Sequence, residues 1–416
     1  MTLRNLLIIP ALTSALASMP AITTHAQKAD DKTEQLLREN FDIAAQQYTK
    51  LLDTLKTSGA AGIARCFPRT TKDGRLVTIS ARDWTSGFFP GSLWYLYEYT
   101  GDTKWRDAAR DYTNRLESLK NYTGTHDLGF MLGCSYGNAY RLTNDAACRD
   151  IMLQGARALA TRYNPFVGAI RSWDHGQWDF PVIIDNMMNL EFLIWATRET
   201  GDPRYREIAI RHAQTTLAHH FREDGGSFHL VDYDSATGAV NRRQTAQGYA
   251  NWSPWARGQA WGLYGYTVMY RETRNPTYLE QAKKIAFFML THNRLPDDKI
   301  PYWDFDAPDI PNAPRDASAA AITASALLEL SDHVAGDAKL SKWYLDTARR
   351  QLDSLASPAY RAKVGDNGNF ILMHSTGHHP KNSEIDVPLN YADYYFLEAL
   401  LRYRAKMSGH PVVPAP

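Results

Sequence analysis

Apolar positions recur at helical spacing along most of this chain. Between residues 28 and 60, Leu36, Leu37, Phe41, Ala44, Tyr48, Leu51 and Leu55 fall on one face of a helix. The run DWTSGFFPGSLWYLYEYTGD from Asp83 predicts a second helix through Leu93, Leu96 and Tyr97, ending near Gly101. A unit then recurs: a turn of Gly, Asn, Asp or Pro followed by an amphipathic helix. It opens at Gly101, Asn144, Gly201, Arg274 and Gly336, at intervals that suit a pair of antiparallel helices plus a loop. Strand signals are few. FHLVDYDSATG near His229 and GNFILMH near Phe370 suggest short extended pieces within loops. The expected fold is therefore all-α, an (α/α)6 barrel of about six hairpins. A helical solenoid is the second choice, since its repeats are more uniform in length.

The stretch Pro181 to Ala196, PVIIDNMMNLEFLIWA, is apolar except for Asp185, Asn186, Asn189 and Glu191. No Gly or Pro interrupts it from Asp185 to Gly201, which predicts a helix starting at Asp185. Asp185 would serve as an N-cap. A carboxyl placed beside Ile-Ile and Met-Met also holds its proton longer than a free Asp, which suits a general acid.

The composition is that of an ordinary globular chain: 416 residues, 44% hydrophobic, 22% charged, net charge +1. No basic excess points to nucleic acid. Residues 1–26 are expected to be a cleavable leader, with Arg4, an apolar stretch from Leu6 to Ile22 and a small-residue site at Thr24-His25-Ala26. No other run reaches the roughly 18 apolar residues that span a bilayer. The expectation is an exported, periplasmic protein with one catalytic domain over residues 27–416, a monomer or weak oligomer with no membrane partner. Three cysteines without a CxxC leave no disulfide framework or cysteine metal site. Aromatic content is high, with 11 Trp, 23 Tyr and 15 Phe. Most of these rings serve packing, but such rings also stack on sugars.

Unusual residues gather in five loop clusters that precede or open helices. They are Asp83–Gly91, His126–Phe130, Trp173–Asp185, Gln247–Tyr266 and His374–Phe396. In a helical barrel those openings converge on one end of the axis. Arg257, set among Trp255, Gly258 and Trp261, is expected to need an anion partner and is a natural receptor for a carboxylate. Two Asp from separate loops, aromatics, amides and one Arg point to a site for an acidic sugar. HExxH, Walker, GxSxG and GxGxxG motifs are absent from the sequence.

The segments DWTSGFFPG, THDLGF, IIDNMMNL, QGYANWSPWARGQAWGLYGY and EIDVPLNYADYYFLEAL together resemble the unsaturated glucuronyl hydrolases of glycoside hydrolase family 88, from about residue 80 to 405. The resemblance implies an (α/α)6 barrel with no metal or organic cofactor. It implies oligosaccharide substrates that carry a 4,5-unsaturated uronic acid at the non-reducing end. It assigns Asp185 as general acid/base and Asp127 as the second essential carboxylate, with His126 beside it. Gln247 and Arg257 would bind substrate, Trp255 and Trp261 would form a stacking platform, and His229 and Trp173 would line further subsites. Members that favour sulfated fragments can carry S-x-x-S-x-K. Here only Ser375 of Ser375–Lys381 fits, leaving His378, His379 and Lys381 as candidate sulfate contacts. Two alternatives stay open: a related hydrolase acting on rhamnogalacturonan fragments, and a non-catalytic oligosaccharide-binding protein that would not need both Asp127 and Asp185.

Overall fold

The computed structural model describes residues 23–59, 62 and 64–413. Most of the expected leader lies outside the described residues; its last four positions open the first helix. Twelve α-helices lie among the described residues: α1 Thr23–Thr57, α2 Phe88–Thr100, α3 Thr103–Asn114, α4 Asn138–Thr143, α5 Ala146–Ala160, α6 Leu190–Thr200, α7 Pro203–His219, α8 Ala256–Thr273, α9 Pro276–Thr291, α10 Ala317–His333, α11 Ala338–Leu355 and α12 Asn390–Met407. A π-helical run, Gly129–Gly137, leads into α4, and a 3-10 run, Ile184–Asn189, leads into α6. None of the described helices is long and apolar enough to cross a membrane.

The even-numbered helices form an inner ring. Each packs on the next, with the π-helical run before α4 making the contact to α6, and α12 returns to α2 to close the circle. Their burial fits that position: every residue from Ala256 to Met269 of α8 is buried, as are all from Ala317 to Ser331 of α10. Helices apolar or small on all sides belong inside, whereas α3, α7 and α11 bury one stripe each and face water with the rest. The sixth hairpin joins the two ends of the chain, because α1 packs against α12 and α2. On α1 the buried stripe is Leu37, Phe41, Ala44, Tyr48, Leu51 and Leu55, as the spacing predicts.

The recurring sequence unit is the turn from an inner helix to an outer one. Gly101, Asn144, Gly201 and Arg274 each take a left-handed conformation that ends the inner helix. The next residue then caps the outer helix: Asp102, Asp145, Asp202 and Asn275 each accept a backbone N–H from two residues on. These turns are short. The returns from outer to inner helices are long, and they carry every named strand among the described residues. A two-stranded hairpin pairs Phe67–Lys72 with Arg75–Ile79. A three-stranded antiparallel sheet joins Phe180–Ile183, Leu230–Tyr233 and Val240–Gln244, with Ile183 opposite Leu230. A last hairpin pairs Ser375–His378 with Ser383–Val387. The extended piece expected at Phe370 instead lies a few residues on, at Ser375–His378; Asn367–Asn369 form a 3-10 turn.

Candidate active site

The inner helices all begin at the end of the ring that carries the long returns. The five clusters therefore meet there, as expected. Two of the starts differ from simple helices. Asp185 does not cap one. It lies in the 3-10 run, its side chain caps nothing, and α6 begins at Leu190. Asn189, which precedes α6, also leaves that helix uncapped. Its Oδ1 instead accepts the backbone N–H groups of Gly129 (2.8 Å) and Phe130 (3.3 Å) on the neighbouring inner helix. The approach requires glycine at 129, since a Cβ there would stand 2.6 Å from that oxygen. The cluster around Asp127 is thereby fixed to the segment that carries Asp185.

Asp185 is buried, 6% exposed, and its Oδ2 has no hydrogen-bond partner. Burial raises its pKa to about 6. The charge of Arg257 pulls it down, and Asp127 pushes it up with a smaller effect than burial. His229 faces it across 3.7 Å, from Nε2 to Oδ2. The Nδ1 of His229 accepts the Ala246 N–H at 2.9 Å, so the ring hydrogen sits on Nε2 and points at the carboxyl. Burial holds the pKa of His229 well below its usual value, so the ring is neutral.

Asp127 is the more open of the two carboxylates, and Thr125 Oγ1 donates to its Oδ2. Its Oδ1 lies 3.1 Å from His126 Nε2. His126 is buried, with Nδ1 3.3 Å from Ser172 Oγ. Ser172 Oγ already accepts the Ile183 N–H at 3.0 Å. Its proton is then directed to His126 Nδ1, which leaves Nε2 of His126 to donate to Asp127. A chain of hydrogen bonds thus runs from the strand just before Asp185 to the second carboxylate.

Arg257 departs from expectation. It is a buried guanidinium whose carboxylate comes from its own chain: Nη1 meets Asp316 Oδ2 at 2.9 Å. Nη1 also donates to the Thr376 carbonyl and Nη2 to that of Gly377, both at 2.6 Å. It is thus not a free carboxylate receptor, because three of its five N–H donors already hold α10 and the 375–378 strand to α8. Its Nε is buried without a partner. The rings of Trp255 and Tyr391 flank it at 4.4 and 5.3 Å. The expected stacking platform is not laid open either. Trp255 is 2% exposed, edge-on to His229, and Trp261 is 0% exposed because Phe130 and Tyr395 pack on it.

A family model described as Glycosyl Hydrolase Family 88 matches residues 60–409. The chain belongs to this family. It is 47% identical over 380 residues to an unsaturated glucuronyl hydrolase of Formosa agariphila, covering 90% of this chain and 92% of that one. It is 32% identical over 384 residues to an unsaturated chondroitin disaccharide hydrolase of Streptococcus pyogenes, covering 90% and 93%. A crystal structure of an unsaturated glucuronyl hydrolase specific for heparin superposes with a TM-score of 0.85 at 47% identity, over 92% of this chain and 100% of that one.

In this family 88 glycoside hydrolase the remaining predicted residues lie on the long returns that lead into α6, α8 and α12. The Gln247 amide donates to the Gly377 carbonyl at 3.3 Å. The indole N–H of Trp173 and the hydroxyl of Ser375 are buried without partners. The His378 ring, half-buried, has its pKa lowered to about 4, first by burial and then by Lys381 and Arg257. It is therefore not the cation expected below pH 6.5. His379 stacks on Trp303 at 4.1 Å.

Sequence reasoning missed Ser172 and Asp316 and passed over Trp84 as packing. Asp316 caps α10 through Oδ1, which accepts the Ser318 and Ala319 N–H groups, while Oδ2 takes Arg257. The Asp-x-Ser before an Ala-rich run was a readable cap signal. Trp84, packed on Phe88, Phe130 and Tyr391, keeps part of its ring exposed, unlike Trp255 and Trp261.

Proposed function

We propose that this enzyme removes a 4,5-unsaturated uronic acid from the non-reducing end of lyase-generated glycosaminoglycan oligosaccharides. The reaction is hydration of the C4=C5 vinyl ether. Asp185 gives its proton to C4, and positive charge develops at C5 and the ring oxygen. The Asp185 carboxylate then takes a proton from the water that adds at C5. The resulting hemiketal opens, and the glycosidic bond is lost. Proton and water balance: Asp185 ends protonated, as it began.

One observation carries this reading. Asp185 is a buried carboxyl with its pKa raised to about 6 and an oxygen that nothing else occupies. Such a group holds a proton to give and, once ionised, is a competent base near neutral pH. The neutral His229 N–H is placed to stabilise the ionised form between the two steps. Asp127, oriented by Thr125 and the Ser172–His126 pair, supplies the second carboxylate. Because one carboxyl serves both steps, the separation rule for retaining and inverting glycosidases does not apply. The relatives, one named for chondroitin disaccharides and one specific for heparin, support a glycosaminoglycan-derived substrate. The leader read over residues 1–26 would place the reaction outside the cytoplasm.

The test is a panel of unsaturated disaccharides from hyaluronan, chondroitin, heparin and rhamnogalacturonan, followed by loss of the ultraviolet absorbance of the conjugated double bond. Turnover of at least one glycosaminoglycan disaccharide is expected. Turnover of the rhamnogalacturonan product alone would overturn the assignment.

A further inference from the structure

The return that leads into α8 carries two aromatic side chains into water. Trp252 is 58% exposed and Tyr249 44%, and their rings meet edge to face at 6.3 Å. Single exposed apolar residues need no explanation. This pair differs because the loop beneath it is tightly held. The Ala246 N–H is bonded to His229, and Gln247 reaches the Gly377 carbonyl. Further along, the fully buried carboxylate of Asp304 accepts from the Tyr249 N–H at 2.8 Å and from Ser253 Oγ at 2.7 Å. Asn251 Oδ1 accepts the Thr245 N–H at 3.0 Å, and the Ala250 N–H donates to Ser253 Oγ at 2.9 Å. The loop is thus anchored to the site at one end and closed on itself at the other. It presents two rings with little conformational freedom to lose.

A rigid amphipathic ring at the edge of a carbohydrate site is suited to the C–H face of a sugar. The buried tryptophans of the site offer no such face. The loop joins the His229 and Gln247 contacts to the start of α8, so the rings stand at the end of the helical ring that holds the carboxylates. We propose that Trp252, supported by Tyr249, forms an outer subsite that stacks on the saccharide units following the terminal disaccharide. The enzyme then prefers unsaturated oligosaccharides longer than a disaccharide. This rests on the function proposed above and extends it to substrate length.

The experiment measures binding by calorimetry to the full-length Asp185→Asn enzyme, which keeps the shape of the site and lacks the proton to be given. The ligands are unsaturated disaccharides and tetrasaccharides cut from heparin and from chondroitin. With Trp252 intact, the tetrasaccharide of the better-bound series is expected to bind about tenfold more tightly than its disaccharide. Adding Trp252→Ala should remove that advantage, and Trp252→Phe should keep most of it. An advantage that survives Trp252→Ala, or none with the loop intact, overturns the proposal, as does failure of the tetrasaccharide to bind. Wild-type turnover of the disaccharides is scored separately. If they bind but are not hydrolysed, the proposed reaction fails while the binding ratio still decides the subsite.

Discussion

Replacing Asp185 by Asn should destroy activity and raise stability, and the gain should depend on pH. The folded chain holds this carboxyl at a pKa of about 6, against an ordinary Asp value of 3.8. The difference, about 2 units at 1.36 kcal/mol each, amounts to about 3 kcal/mol. A raised carboxyl pKa means that the folded state binds the proton more tightly than the unfolded chain does. Wild type is therefore most stable with respect to this group below about pH 4, where both states are protonated. Stability falls as pH rises toward 6, because the unfolded chain ionises freely while the folded one resists. Above about pH 7 the full cost of a buried carboxylate is present. The neutral amide of the variant carries no such cost. Thermal unfolding of both proteins from pH 4 to pH 8 should show the variant gaining up to about 3 kcal/mol on wild type, a shift of several degrees. Turnover should fall by about 10³-fold over the same range, the scale of a lost general acid. Unfolding curves that run parallel at all pH values would refute the argument, because they would mean that burial does not raise the Asp185 pKa.

The wild-type pH profile should agree: kcat/KM should fall about tenfold per unit above about pH 6 as Asp185 loses its proton, and a profile flat to pH 8 would exclude Asp185 as the acid. Arg257→Ala leaves Asp316 buried without its cation, so a loss of about 3–5 kcal/mol is expected. Arg257→Lys restores the charge but not the three-way contact to Asp316, Thr376 and Gly377, so thermal unfolding should recover only in part; unchanged melting in both variants would remove the structural role. His378 stays neutral down to about pH 4, so His378→Gln should leave the pH dependence of the sulfated-to-unsulfated kcat/KM ratio unaltered above pH 5; a change near pH 6 would show that His378 titrates there after all.

The ring of helices was legible because the signals that define it are local. An inner helix ends where Gly101 or Gly201 turns left-handed, and an Asp immediately after caps the next helix. Both events are written within two or three adjacent residues. The sixth hairpin was not written that way. Its helices, α1 and α12, come from opposite ends of the chain, and only their shared contact with α2 makes them a pair. The start of α6 was misplaced for a similar reason. The sequence from Asp185 contains no helix breaker, yet Asn189 is drawn to Gly129 and Phe130, and the five residues before it adopt a 3-10 run. A contact sixty residues away in sequence outweighed local propensity.

The same division runs through the site. Asp127, Asp185 and His229 stand in distinctive segments, and the barrel brings those segments to one end. What each residue does there depends on partners that no spacing predicts. Arg257 looked like an unpaired cation because Asp316 is 59 residues away in sequence. The apolar neighbours Ile-Ile and Met-Met already marked Asp185 as a carboxyl slow to ionise, and removal from water is indeed the largest cause of its shift, with Asp127 adding less. That ordering has a chemical consequence. A proton held mainly by burial remains when the second carboxylate is neutralised, so Asp127→Asn should leave the basic limb of the pH profile nearly in place while lowering turnover. The Ser172–His126–Asp127 chain then acts by fixing where a negative charge sits, not by setting when Asp185 ionises. A basic limb that moves with Asp127→Asn by as much as it would with added exposure of Asp185 would reverse the order of the two causes.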